Sequence, residues 1–218
     1  MGKKKNISKK DIISFYMEYV LENHKKPESV YAFAKAYNFE ETLFYKHYGT
    51  LNAIEPEIFT EIFNSTIQVL NASKDYLEYD ARHKLLSFYY TFFENLTANR
   101  SYVLMALSEH KNSLKSMKLL SPLKKAFTIY IQQLKIELIQ TNQEQIDKIQ
   151  EAGLKESAWI QMLLTLKFWM DDSSPSFEKT DVFIEKSVNT TFDLLDVTPL
   201  KSLIDFGKFI FKEKIKMP

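Results

Sequence analysis

Ser29-Val30-Tyr31-Ala32-Phe33-Ala34-Lys35-Ala36-Tyr37-Asn38-Phe39, with Leu43-Phe44-Tyr45-Lys46-His47-Tyr48-Gly49-Thr50 close behind it, decides how this chain is read. Ser29 suits a helix N-cap, because a serine hydroxyl accepts a hydrogen bond from an N–H of the first turn. Val30, Phe33, Ala34 and Tyr37 recur at helical spacing and give one apolar face. Asn38 tolerates the left-handed backbone that a tight helix exit requires. Glu40 and Glu41 stand where the next helix begins, and acids suit that end of its dipole. Leu43, Phe44 and Tyr48 carry that helix, and Gly49 ends it. Upstream, Ser8 and Asp11 form a capping pair before Ile12, Ile13, Tyr16, Tyr19 and Val20, and Asn23 to Pro27 stops that helix. Three short helices with a turn between the second and third make a helix-turn-helix corner.

Outward from this corner the pattern stays helical. One helix is expected from about Pro56 to about Ala72, since proline fits a first turn. Apolar periodic segments follow near 78–97, 101–118, 122–141, 155–171, 176–196 and 199–214. Asn99, Ser121-Pro122, Gly153, Ser173-Ser174-Pro175 and Thr198-Pro199 are the expected stops between them. The chain of 218 residues has only 4 Gly and 6 Pro, too few turn residues for a sheet-rich domain. The fold class is therefore all-α: a three-helix helix-turn-helix domain over 1–53, and a larger helical domain over 54–218.

Charge is uneven. Residues 1–50 hold nine lysines against six acids, whereas the remainder carries slightly more acid than base. Lys3, Lys4 and Lys5, with Lys9 and Lys10, form a basic arm that can neutralise phosphates or simply remain a solvated terminus. There is no cysteine, so disulfides, thiolate catalysis and cysteine-held metal are excluded. No run approaches the roughly 20 apolar residues of a membrane span, and no signal peptide is evident, so a cytoplasmic protein is expected. Asp171 and Asp172 are neighbours that point different ways on a helix, and no base or nucleophile accompanies them. No enzyme activity, cofactor or metal is expected.

The two blocks quoted first resemble, without a gap across residues 29–55, the DNA-binding domain of TetR-type transcriptional regulators. Tyr45-Lys46-His47-Tyr48 is similar to the signature at the exit of that family's recognition helix. Ala34 falls where the family has a small residue that lets two helices approach. The resemblance implies a partner, double-stranded DNA, contacted by Lys3, Lys4, Lys5, Ser29, Thr42, Tyr45, Lys46 and His47. It departs from the family at Asn38, which replaces the usual turn glycine, and at Leu51, which replaces a frequent lysine. Glu40 and Glu41 also depart, placing negative charge toward phosphates that repel it.

Aromatic stripes in the body read first as core. The resemblance implies in addition a pocket for a hydrophobic small-molecule or lipid effector, walled by Phe88, Phe92, Tyr102, Met105, Trp159, Met162, Leu166 and Trp169. It implies a homodimer through the last two helices, with Phe183, Val188, Phe192, Leu203, Phe206 and Phe209 at the interface, a stripe equally consistent with an intramolecular core. A shorter stretch, Trp169-Met170-Asp171-Asp172-Ser173-Ser174-Pro175 with Thr180-Asp181 and Phe183-Ile184, is similar to the coenzyme Q biosynthesis lipid-binding proteins. That likeness implies an alternative: an isoprenoid-lipid carrier of the same fold that lost DNA binding. Lys201, Lys208, Lys212, Lys214 and Lys216 beside the terminal apolar stripe fit either weak contact with an anionic membrane surface or a solvated helix face.

Overall fold

The computed structural model describes residues 6–109, 113–138 and 144–196. Among these residues there are ten α-helices and no strand. They are α1 Lys9–Asn23, α2 Val30–Ala36, α3 Glu41–Tyr45, α4 Ile54–Ala72, α5 Lys74–Glu78, α6 Ala81–Ala98, α7 Arg100–Glu109, α8 Ser113–Gln133, α9 Glu144–Asp171 and α10 Glu178–Asp196. No described helix is long and apolar enough to cross a membrane. The chain divides into two compact units, Met1–Ser65 with Glu94–Lys125, and Thr66–Phe93 with Ala126–Pro218.

Local chemistry sets the helix starts. Ser8 and Asp11 form the reciprocal capping box at α1, the Asp11 carboxylate accepting from the Ser8 N–H at 2.8 Å. The C-terminal end of α1 is closed by His24 in the left-handed conformation. Ser73 caps α5 through Tyr76 N–H, and Asp80 accepts from His83 N–H at 2.8 Å ahead of α6. The segment expected from 78 to 97 is α6, and the short α5 precedes it, the two parted at Tyr79 and Asp80.

Two expected stops are not stops. Pro122 lies inside α8 and Gly153 inside α9. A mid-helix proline forfeits a hydrogen bond and costs about 3 kcal/mol. Around it, however, Leu119, Leu120, Leu123, Phe127, Tyr130 and Ile131 are all buried on one continuous helical face. Burial at roughly 1.5–3 kcal/mol per large side chain outweighs that loss. Pro122 and Gly153 both face solvent. The expected helix over 199–214 lies outside the described residues.

In the first unit α7 packs on α1. The start of α4 is tied to α1 and to the segment that follows it. Glu55, buried, accepts from the Tyr16 hydroxyl at 3.1 Å and from Lys26 Nζ at 2.7 Å, while Glu57 pairs with Lys9 at 2.6 Å. In the second unit α9 and α10 form a helical hairpin. Asp172 builds its corner. One carboxylate oxygen accepts from Ser174 N–H and Ser174 Oγ at 2.8 and 2.7 Å, the other from Thr180 N–H and Thr180 Oγ1 at 2.9 and 2.7 Å. This holds Ser176 and Phe177 in consecutive left-handed conformations, φ 52° and 59°, which non-glycine residues adopt at a cost.

Burial pushes the Asp172 carboxyl up, but the four donated hydrogen bonds prevail and hold it at about 2. That is below the roughly 3.9 of an unfolded aspartate. The stabilisation is therefore complete above about pH 4 and is lost as pH falls through about 2. Asp172→Asn is expected to lower stability by about 1–2 kcal/mol at neutral pH. Its acid-unfolding curve should be flatter than that of the parent between those pH values. Equal slopes in a pH series of urea midpoints would refute this account.

Candidate nucleic-acid interface

The corner is organised around Phe33. This ring is fully buried and meets five others edge-on or tilted: Tyr16 at 6.2 Å, Tyr19 at 6.3 Å, Tyr37 at 5.4 Å, Phe39 at 5.5 Å and Phe44 at 6.4 Å between centroids. Ser29 Oγ accepts from Ala32 N–H at 3.1 Å and starts α2. Asn38 has φ 57°, the left-handed exit expected of it, and Phe39 N–H reaches back to Ala34 C=O at 3.0 Å. Ala34 is buried where α2 approaches its neighbours. α3 is shorter than expected. It ends at Tyr45, and the chain continues as a turn in which His47 and Tyr48 N–H groups both donate to Phe44 C=O at 2.9 Å.

With one face so committed, the other is presented to solvent. Ser29, Thr42, Tyr45, Lys46 and His47 are all exposed. Tyr31 on the first turn of α2 is 64% exposed and Tyr45 53%. Tyr31 was not among the expected contacts. The signal was present in the sequence, since a tyrosine two residues past an N-cap lies off the apolar stripe of Phe33 and Ala34. Lys3, Lys4 and Lys5 lie outside the described residues.

The two acids behave differently. Glu40 is the N-cap residue of α3, and its side chain makes no capping bond. Glu41 accepts from the Tyr45 hydroxyl at 3.2 Å. Partial desolvation, then that bond and the Glu41 charge, push the Tyr45 phenol up, so it remains a donor at neutral pH. One of the two repelling carboxylates is thus occupied by the side chain expected to meet a phosphate.

In the second unit, Phe88, Phe92, Trp159, Met162, Leu166 and Trp169 are buried in an aromatic layer. Phe88 stacks on Phe92 at 5.5 Å, Phe127 tilts toward Trp159 at 6.3 Å, and Phe93 meets Trp169 at 6.1 Å. Tyr102, buried, and Met105, half-buried, sit on α7 in the first unit.

Three hollows are open at the surface of the second unit. One of about 1040 Å³ runs between the end of α8 and the start of α9, lined by Lys135, Glu137, Asp147 and Glu151 among others. Two of about 450 Å³ each lie along α9 and α10 and share Leu164 and Phe183. None of the residues expected to wall a pocket lines any of these three.

Of the expected interface residues, Val188 is fully buried within the chain and lends no surface to a partner. Phe183 is half-buried and stacks on Phe168 at 4.6 Å. Phe192 is half-buried with the Arg82 guanidinium 5.3 Å from its ring centre. Leu203, Phe206 and Phe209 lie outside the described residues. Sequence reasoning missed the exposed apolar side chains of α9, Ile160 and Leu164, each 55% exposed. Among the described residues no group of three or more His, Asp or Glu side chains is placed to hold a metal ion.

Residues 84–210, more than half of the chain, match the tetracyclin repressor-like C-terminal domain. The chain belongs to the TetR-type regulators. This family assignment rests on the helical body, and the corner quoted at the outset stands upstream of the matched residues. No curated protein matches the chain. TetR-type regulators in general bind DNA, respond to small-molecule effectors and dimerise. They are in general not enzymes. In this chain Asp171 is exposed, and Asp172 is engaged in holding the α9–α10 corner.

Proposed function

We propose that this TetR-type chain is a ligand-responsive, homodimeric DNA-binding regulator, acting as a repressor. In this reading residues 1–53 are the DNA-binding domain, and 54–218 bind the effector and dimerise. One observation carries the reading: Ser29, Thr42, Tyr45, Lys46 and His47 are all exposed on a corner whose interior is a closed aromatic cluster. Phosphate contacts of this kind position a protein on duplex DNA, and base-edge contacts select the site. Two copies related by a two-fold axis would place the corners in successive major grooves, about 34–36 Å apart. An effector that favours one dimer conformation by about 1–3 kcal/mol would shift DNA affinity by roughly 5- to 150-fold.

Duplex selection from a random library, followed by a gel shift at low salt, tests the reading. Enrichment of a palindrome supports it, and no binding above a random duplex refutes it. Glu40 and Glu41 favour one rival, a hydrophobic-ligand or isoprenoid-lipid carrier without DNA affinity. An isoprenoid extracted from the purified protein, with an empty gel shift, would establish that rival instead.

The exposed Ile160, Leu164 and Val182 on α9 and α10 are the proposed contact with the second copy. Ile160→Glu with Leu164→Glu is expected to convert dimer to monomer in sedimentation and to raise the DNA concentration for half-binding at least tenfold. Both side chains are more than half exposed, so the helical signal should be kept. A double variant that still sediments as a dimer would move the interface elsewhere.

A further inference from the structure

Among the described residues of the second unit, one buried polar atom is unlike the rest. Tyr89 on α6 is fully buried, and its hydroxyl has no hydrogen-bond partner. Three rings surround it: Phe93 stacked at 6.1 Å, Phe127 edge-on at 6.3 Å and Phe88 edge-on at 5.9 Å. The contrast lies in the same layer. The Tyr130 hydroxyl pairs with the Tyr76 hydroxyl at 3.0 Å and donates to Lys84 C=O at 3.1 Å. Buried phenols in this unit can therefore be provided with partners, and Tyr89 is not.

A buried donor left unpaired forfeits its hydration and gains nothing in return. Phenylalanine at the same place would fill the same space without that loss. Burial pushes the phenol up with no contribution from any charge, so the group is a permanent donor in a neutral setting. The charged side chain buried elsewhere in the described part of this unit is Asp172, already engaged by Ser174 and Thr180. A charged effector would meet no counter-charge from the described residues near Tyr89.

We propose that the Tyr89 hydroxyl is the polar anchor of the effector site. The ligand class is a neutral, mainly aromatic or apolar compound with one hydrogen-bond acceptor, such as a ketone or ether oxygen, seated among Phe88, Phe93 and Phe127. This rests on the effector-responsive reading above. An aromatic ligand would meet Phe88, Phe93 and Phe127 in the stacked or edge-on geometry that those rings now share with Tyr89. The hydrogen bond gained by Tyr89 then decides which compounds enter.

Acetophenone and ethylbenzene are close in shape and differ by the ketone oxygen, which makes them suitable probes. By calorimetry the full chain should bind acetophenone about five- to tenfold more tightly than ethylbenzene, the worth of one buried hydrogen bond. In Tyr89→Phe that preference should vanish while ethylbenzene still binds. Without ligand, Tyr89→Phe should melt at the same temperature as the parent or higher. The proposal is overturned if neither probe binds, if Tyr89→Phe keeps the preference, or if Tyr89→Phe melts lower. The gel shift is read separately. Loss of DNA binding with the acetophenone preference intact would sink the regulator reading and leave the site standing.

Discussion

Phe33→Ala is expected to destabilise the first unit by about 3–5 kcal/mol, the range for truncating a fully buried phenylalanine. Phe33 is fully buried, and its five aromatic neighbours come from α1, the α2–α3 turn and α3. No single neighbour can collapse into the space, because each ring is already held by the others, as Phe15 is stacked on Tyr37 at 4.6 Å. A loss of that size is a large part of the roughly 5–15 kcal/mol that holds a typical domain together. The far-UV urea midpoint should fall sharply, and DNA binding should fall with it, because this ring ties α2 to α3. Phe33→Leu, which retains most of the volume, should lose less than half as much. A midpoint shift in Phe33→Ala worth under about 1 kcal/mol would mean that the cluster does not organise the corner.

Joint replacement of Tyr45, Lys46 and His47 by alanine is expected to weaken DNA binding by about 10²- to 10³-fold with no change in the urea midpoint. All three are exposed, so their removal opens no cavity. Each charged contact to phosphate contributes about 0.9 to the slope of log affinity against log salt. The one cation removed per copy, Lys46, should therefore lower the slope of a dimer by about 2. Glu41→Gln should act in the opposite direction. It removes a charge that repels phosphate and loosens the 3.2 Å hold on the Tyr45 hydroxyl. Tighter binding at low salt, with the gain fading as salt rises, is the result to look for. Unaltered affinity and slope in the triple variant would remove the corner from the interface.

Much of the fold was legible because its boundaries are set by neighbours in sequence. Ser8 with Asp11, Ser29 and Asn38 act within three residues of themselves, so a helix start or exit could be read where it stands. Pro122 and Gly153 misled for the opposite reason. Their local tendency to break a helix is overruled by a buried face built from distant partners, such as Phe127 against Phe88 at 5.5 Å. The side of the corner that faces solvent was legible, since the apolar stripe of Phe33 and Ala34 leaves Tyr45, Lys46 and His47 nowhere inside to go. The body was less so. A stripe of aromatic residues at helical spacing gives the same pattern whether the rings fill one another or wall a cavity. Nothing in sequence distinguishes the satisfied Tyr130 from the unpaired Tyr89, because Tyr76 is 54 residues from Tyr130.

The Asp172 corner bears on the order in which the chain folds. Its donors lie two and eight residues away, and the helices it joins are consecutive. Closing such a short loop costs little entropy. The α9–α10 hairpin can therefore assemble while the rest of the chain is still loose, and it can serve as a template on which later helices condense.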